Sequence, residues 1–131
     1  MTTNTFKQTL FSSALSGCYI GLSSTEPTAT GTNVTEPNGN GYSRQALSMT
    51  YSLSSGTGTL KNSSEITFTN TSGSTSWLSG NAVAYYVIYS AQTGGNLYAW
   101  GNIDPTKVIQ AGDTAKIAAN GLVITLADLT A

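Results

Sequence analysis

The apolar positions of the chain change period once. Phe6, Leu10, Phe11, Ala14 and Leu15 recur at helical spacing, and Gly17 is placed to end that run. From residue 18 the pattern becomes alternating, with β-branched and aromatic residues in short runs between Gly, Asn, Ser and Pro clusters. The clearest runs are 18–23, 45–52, 65–69, 82–90, 96–101, 106–110, 114–118 and 122–126. They predict an all-β fold, a two-sheet, jelly-roll-like β-sandwich of about eight short strands over 18–131, preceded by a short N-terminal helical segment over 1–17.

Within 65–69, Ile66 and Phe68 fall on one face and Thr67 and Thr69 on the other. The run from Val83 to Tyr89 has no polar face, which predicts a central strand covered on both sides by the other sheet or by a neighbouring subunit. Two stretches resist a strand reading. Residues 24–41 hold two of the three prolines and a repeat, Thr25-Glu26-Pro27 and Thr35-Glu36-Pro37. A loop of that length in a small domain is either mobile or put to use. Residues 54–64, rich in Ser, Gly and Thr, read as a flexible connection.

Composition changes this picture chiefly by exclusion. Of 131 residues only 5 are Lys or Arg and 6 Asp or Glu, against 21 Thr, 17 Ser and 10 Asn, so hydroxyls and amides dress the surface. A net charge of −1 gives no basic field for phosphates, which argues against nucleic acid and anionic membrane as partners. The absence of histidine removes the usual general base and the commonest transition-metal ligand. Cys18, the single cysteine, lies in an apolar run and is expected to be buried and inert. Leu15-Ser16-Gly17-Cys18 has the form of a lipoprotein cleavage box, but polar residues interrupt the apolar stretch before it, and the helix is the better account. Neither a cofactor nor a metal site is expected.

Carboxylates are the acid/base groups that remain. Glu26 and Glu36 are the best placed for a two-carboxylate glycan hydrolase, yet each precedes a proline and reads more simply as a turn residue. Arg44, the one arginine, is positioned to pair bidentately with Glu36 and pin the long loop, or else to anchor a subunit contact. Trp77 and Trp100 with Tyr85, Tyr86, Tyr89 and Tyr98 could form a sugar-stacking platform, although burial in a core or interface explains aromatic residues on strands more economically. Asp104-Pro105 reads as turn chemistry before a strand.

The order of short motifs carries further information. Tyr19 to Pro27, then Thr35 to Arg44, Asn62 with Ile66-Thr67-Phe68, Ala84 to Ala91 leading into Gly94-Gly95-Asn96-Leu97, and Ile109 to Asp113 with Gly121-Leu122 together resemble a family of small tailed-bacteriophage virion proteins. The corner Gly41-Tyr42-Ser43-Arg44 and the turn Gly94-Gly95-Asn96-Leu97 are the most specific pieces. Members of that family are named variously as head decoration, minor capsid, tail fibre or minor tail proteins. The resemblance therefore implies a virion structural protein made in the host cytoplasm, and it transfers no catalytic residue.

The first expectation is a non-enzymatic capsid decoration or cement protein, trimeric and bound to the major capsid protein, with Glu26, Glu36, Tyr42, Arg44, Trp77, Tyr85, Tyr86 and Trp100 as interaction candidates. The alternative is a tail-associated fibre-base or adaptor module with weak glycan binding.

Overall fold

The computed structural model describes residues 5, 9, 17–54 and 57–126. The helix expected over 1–17 lies outside the described residues apart from Thr5, Thr9 and Gly17. The remainder is all-β and antiparallel, as the alternation predicts. Its strands are β1 (Tyr19–Ser23), β2 (Gln45–Ala46), β3 (Met49–Ser54), β4 (Thr57–Asn62), β5 (Ile66–Thr69), β6 (Val83–Tyr89), β7 (Leu97–Lys107), β8 (Thr114–Ile117) and β9 (Val123–Leu126). They fall into two compact units, one built from Met1–Gly17, Leu47–Ile66 and Ile117–Ala131, the other from Cys18–Ala46 and Thr67–Lys116.

The first unit is the three-stranded sheet β3-β4-β9. Its central strand, β4, lies in the stretch that reads as a flexible connection, and the structure corrects that expectation. Gly58, Leu60 and Asn62 alternate as buried positions with Thr57, Thr59 and Lys61 between them. A glycine and an asparagine at inward positions hide the apolar period, although the alternation itself is intact. Asn62, fully buried, ends the strand and holds the chain around it. Its Nδ2 donates to the Ser64 and Ala118 carbonyls at 2.9 Å each, and its Oδ1 accepts from Leu122 N at 2.8 Å.

The second unit contains the four-stranded sheet β2-β1-β6-β7 and nearly all of the two-stranded ribbon β5-β8. β6 is a central strand as predicted, paired with β1 (Ile20↔Ile88, Gly21↔Val87) on one side and β7 (Val87↔Trp100, Ile88↔Ala99) on the other. Ile20, Val87 and Ile88 are fully buried. Phe68 of β5 stacks on Tyr42 at 6.1 Å between ring centroids, and the Tyr42 hydroxyl accepts from Leu22 N of β1 at 3.0 Å. Ribbon and sheet thus share Tyr42, which makes the unit sandwich-like. Buried Asn70, just past β5, plays the part that Asn62 plays in the first unit: its Nδ2 donates to the Thr75 and Gln110 carbonyls, and its Oδ1 accepts from Ser72 N.

Two boundaries differ from expectation. The run 45–52 divides into β2 and β3, with Leu47 buried between them. Residues 96–101 and 106–107, expected in separate strands around a turn at Asp104-Pro105, form one strand, β7, and residues 108–110 are not part of it. The ladder to β6 jumps from Tyr85↔Asn102 to Val83↔Lys107, so Pro105 sits in a bulge where no ladder donor is required.

Candidate functional site

The long segment 24–41 is held by hydrogen bonds throughout. Fully buried Ser23 starts it: the hydroxyl donates to Thr25 O at 2.7 Å and accepts from Thr25 N and Thr35 N. Ser24 N donates to Thr35 O, Thr28 N to Thr32 O, and Thr25 Oγ1 to Thr35 Oγ1 at 2.9 Å. The two copies of the Thr-Glu-Pro repeat therefore lie side by side, with both prolines buried. The glutamates separate in role. Glu26 is exposed, and its carbonyl accepts from Asn33 Nδ2; Glu36 turns into a cluster with Tyr42 and Arg44.

That cluster is built by a fork. Arg44 donates from Nε to Glu36 Oε1 at 3.1 Å and from Nη2 to Oε2 at 2.8 Å, while Nη1 donates to the Ala91 and Gly94 carbonyls at 3.0 and 2.7 Å. The guanidinium lies 3.5 Å from the centroid of the Tyr89 ring. The Tyr42 hydroxyl donates to Glu36 Oε1 at 2.6 Å. Arg44 thus ties the Gly41-Tyr42-Ser43-Arg44 corner to the turn that carries Gly94-Gly95-Asn96-Leu97, where Gly94 and Gly95 both adopt positive φ. The two most distinctive motifs of the sequence are parts of one assembly.

Burial works against the Arg44 charge, but the hydrogen bonds and negative charge of Glu36 outweigh it and move the guanidinium upward. Burial first, then the hydrogen bond and charge of Glu36, holds the Tyr42 proton well above the ordinary tyrosine range. Tyr89 moves the same way, by burial and by the Glu36 charge.

Trp77 completes this side. It is buried, meets Tyr42 edge to face at 5.4 Å, and donates from Nε1 to Asn40 O at 3.2 Å. Leu78 and Ser79 after it take left-handed backbone (φ 57° and 54°), a conformation that costs about 1 kcal/mol or more per residue. The turn is held by Trp77 N to Ile109 O at 2.9 Å and Asn81 N to Leu78 O at 3.0 Å.

Two open clefts flank Glu36: one of about 430 Å³ between Pro37 and Ser43 on one side and Gln92 and Thr93 on the other, and one of about 270 Å³ beside Asn38 and Trp77.

Of the candidate residues, Glu36, Tyr42, Arg44 and Trp77 come together, and Glu26 does not join them. Tyr85, Tyr86 and Trp100 lie half-buried on β6 and β7, where Tyr86 covers Gly101. Gly21 was legible only as part of an apolar run. A Cβ there would lie 2.6 Å from both Glu36 Oε1 and Tyr42 Oη, so the cluster needs a glycine in the strand beneath it. The carbonyls of Ala91 and Gly94 carry no side-chain signal at all.

Among the described residues, no three His, Cys, Asp or Glu side chains converge as a metal site would require. No curated protein matches the chain. The model of one phage virion family, however, matches residues 2–125, nearly the whole length, and by that match the chain belongs to the family described as Podophage GP4 fiber I protein gp80.

Proposed function

We propose that this protein is a non-enzymatic structural subunit of a fibre associated with the tail of a bacteriophage particle. The observation that carries the reading is the family's description as a fibre protein over residues 2–125. It favours the tail-associated alternative over the capsid decoration protein that was the first expectation, and it makes neighbouring tail or fibre proteins, with further copies of this chain, the partners in place of the major capsid protein. The geometry is in keeping with a passive role. Both Glu36 oxygens are engaged by Tyr42 and Arg44, and the guanidinium is spent on the same carboxylate and two carbonyls. Groups so committed hold a shape and are poorly placed to move protons.

Imaging of particles carrying an epitope-tagged copy tests the placement. Label at the tail or its fibres is expected. Label distributed over the head would return the capsid decoration reading, and particles without label would remove the virion role.

A further inference from the structure

We infer that β7 is a docking strand through which two copies of this chain pair, antiparallel and two-fold, centred on Trp100. The two edges of the sheet β2-β1-β6-β7 are treated differently. On the β1 side, β2 is only two residues long, and beyond it the Tyr42 hydroxyl accepts from Leu22 N, so backbone that would invite another strand is capped. On the other side β7 runs for 11 residues, none of them buried, and among the described residues no strand pairs with its outer edge. Half of that edge is guarded: Asp104, Pro105 and Lys107 are exposed at one end, the charge and proline that edges use against pairing. The half from Leu97 to Ile103 has neither. Its outward N–H and C=O groups fit an added strand.

The identity of that strand follows from the sequence of the open half. Leu97-Tyr98-Ala99-Trp100-Gly101-Asn102-Ile103 reads the same in both directions by side-chain class. Aliphatic Leu97 answers Ile103, hydrogen-bonding Tyr98 answers Asn102, small Ala99 answers Gly101, and Trp100 stands at the centre. Exposure has the same symmetry: Tyr98 and Asn102 are exposed and the other five residues intermediate. An antiparallel pair places each residue opposite its mirror position on the same face. Two copies of β7 centred on Trp100 therefore match aliphatic to aliphatic, small to small and ring to ring. Asp104 and Lys107 fall beyond the overlap, so no like charges meet. A charged partner strand would find no counter-charge in this half, whereas a second copy finds its own complement. The contact is isologous, hence two-fold, in place of the three-fold symmetry expected from the sequence. It concerns the isolated protein and stands or falls independently of where the protein sits on the particle.

Light scattering on the purified full chain, coupled to size exclusion, provides the test. The expected mass is twice the 13.5 kDa of one chain. Tyr98→Lys with Asn102→Lys sets like charges opposite each other across the pair and is expected to halve the mass, with circular dichroism unchanged. Tyr98→Lys with Asn102→Glu sets opposite charges across the same pair and is expected to restore the dimer. Positions 98 and 102 lie four residues apart on an extended strand, too far to compensate within one chain. A monomeric or trimeric native chain overturns the proposal. So does a dimer that survives the double-lysine change, or one that the lysine–glutamate change fails to restore.

Discussion

Arg44 and Glu36 meet through both arms of the fork, Nε on Oε1 at 3.1 Å and Nη2 on Oε2 at 2.8 Å, with their side chains only 10% and 20% exposed. A pair so placed is costly to break from one side, because the survivor keeps its charge away from water. Arg44→Ala is expected to cost about 3–5 kcal/mol in urea unfolding. Glu36→Ala should cost a similar amount, because Arg44 would retain two carbonyls and no counter-charge. The double variant should cost less than the sum, with a coupling of about 2 kcal/mol. Strictly additive losses would mean that the fork contributes little. Arg44→Lys keeps the charge but loses the planar match to Glu36 and the stack on Tyr89, and should recover less than half of the loss.

Tyr42 makes the same cluster sensitive to alkali. Its proton is held above the ordinary range by burial and by Glu36, so the unfolded chain ionises first, near the free tyrosine value of about 10. The stability it contributes is complete below that pH and is lost as pH rises beyond it toward the folded value. Tyr86 and Tyr89, also raised, add to the same slope. Unfolding midpoints measured from about pH 8 to 11 should fall steeply above about 10. In Tyr42→Phe the decline should be shallower, starting from a stability lower by about 1–3 kcal/mol for the unpaired Leu22 N–H. Equal slopes in the two proteins would show that Tyr42 titrates normally.

The parts of this arrangement were unequally visible in the sequence. Residues 65–69 and 82–90 revealed their strands because side-chain alternation or continuous apolar character is a local signal. The Arg44–Glu36 pair was legible because a lone arginine near a repeated glutamate leaves few partners to choose from. β4 was hidden by Gly58 and Asn62 at its inward positions. The continuity of β7 was hidden by Pro105, which a bulge accommodates. Gly21 and the carbonyls of Ala91 and Gly94 gain their meaning from contacts with residues far away in the chain, and no periodicity reports those.

Asn62 and Asn70 should behave as independent local staples, since each closes loops within its own unit. Asn62→Ala leaves two carbonyls and the Leu122 N–H without their partner, and should cost about 2–3 kcal/mol or more. The informative readout is amide hydrogen exchange. Protection of Leu122 should drop in Asn62→Ala and that of Ser72 in Asn70→Ala, each without the other. Loss of both in either variant would mean that the two units open together.

The two tryptophans offer a readout that separates the interior from the β7 edge. Trp77 is buried, with its indole N–H bound to Asn40 O, whereas Trp100 is half-exposed on the strand proposed to pair. Trp100→Phe leaves Trp77 to report, and its emission should be blue-shifted and nearly insensitive to acrylamide at every protein concentration. Trp77→Phe leaves Trp100. In the dimer its ring faces the same ring of the second copy and should be shielded, and on dilution its emission should move to the red and become quenchable. Trp77 sits among Tyr42, Asn40 and the turn at Leu78, none of which takes part in the proposed contact, so its signal serves as the internal control. A Trp100 signal that is quenchable to the same extent at high and low concentration would place that ring outside any contact between copies.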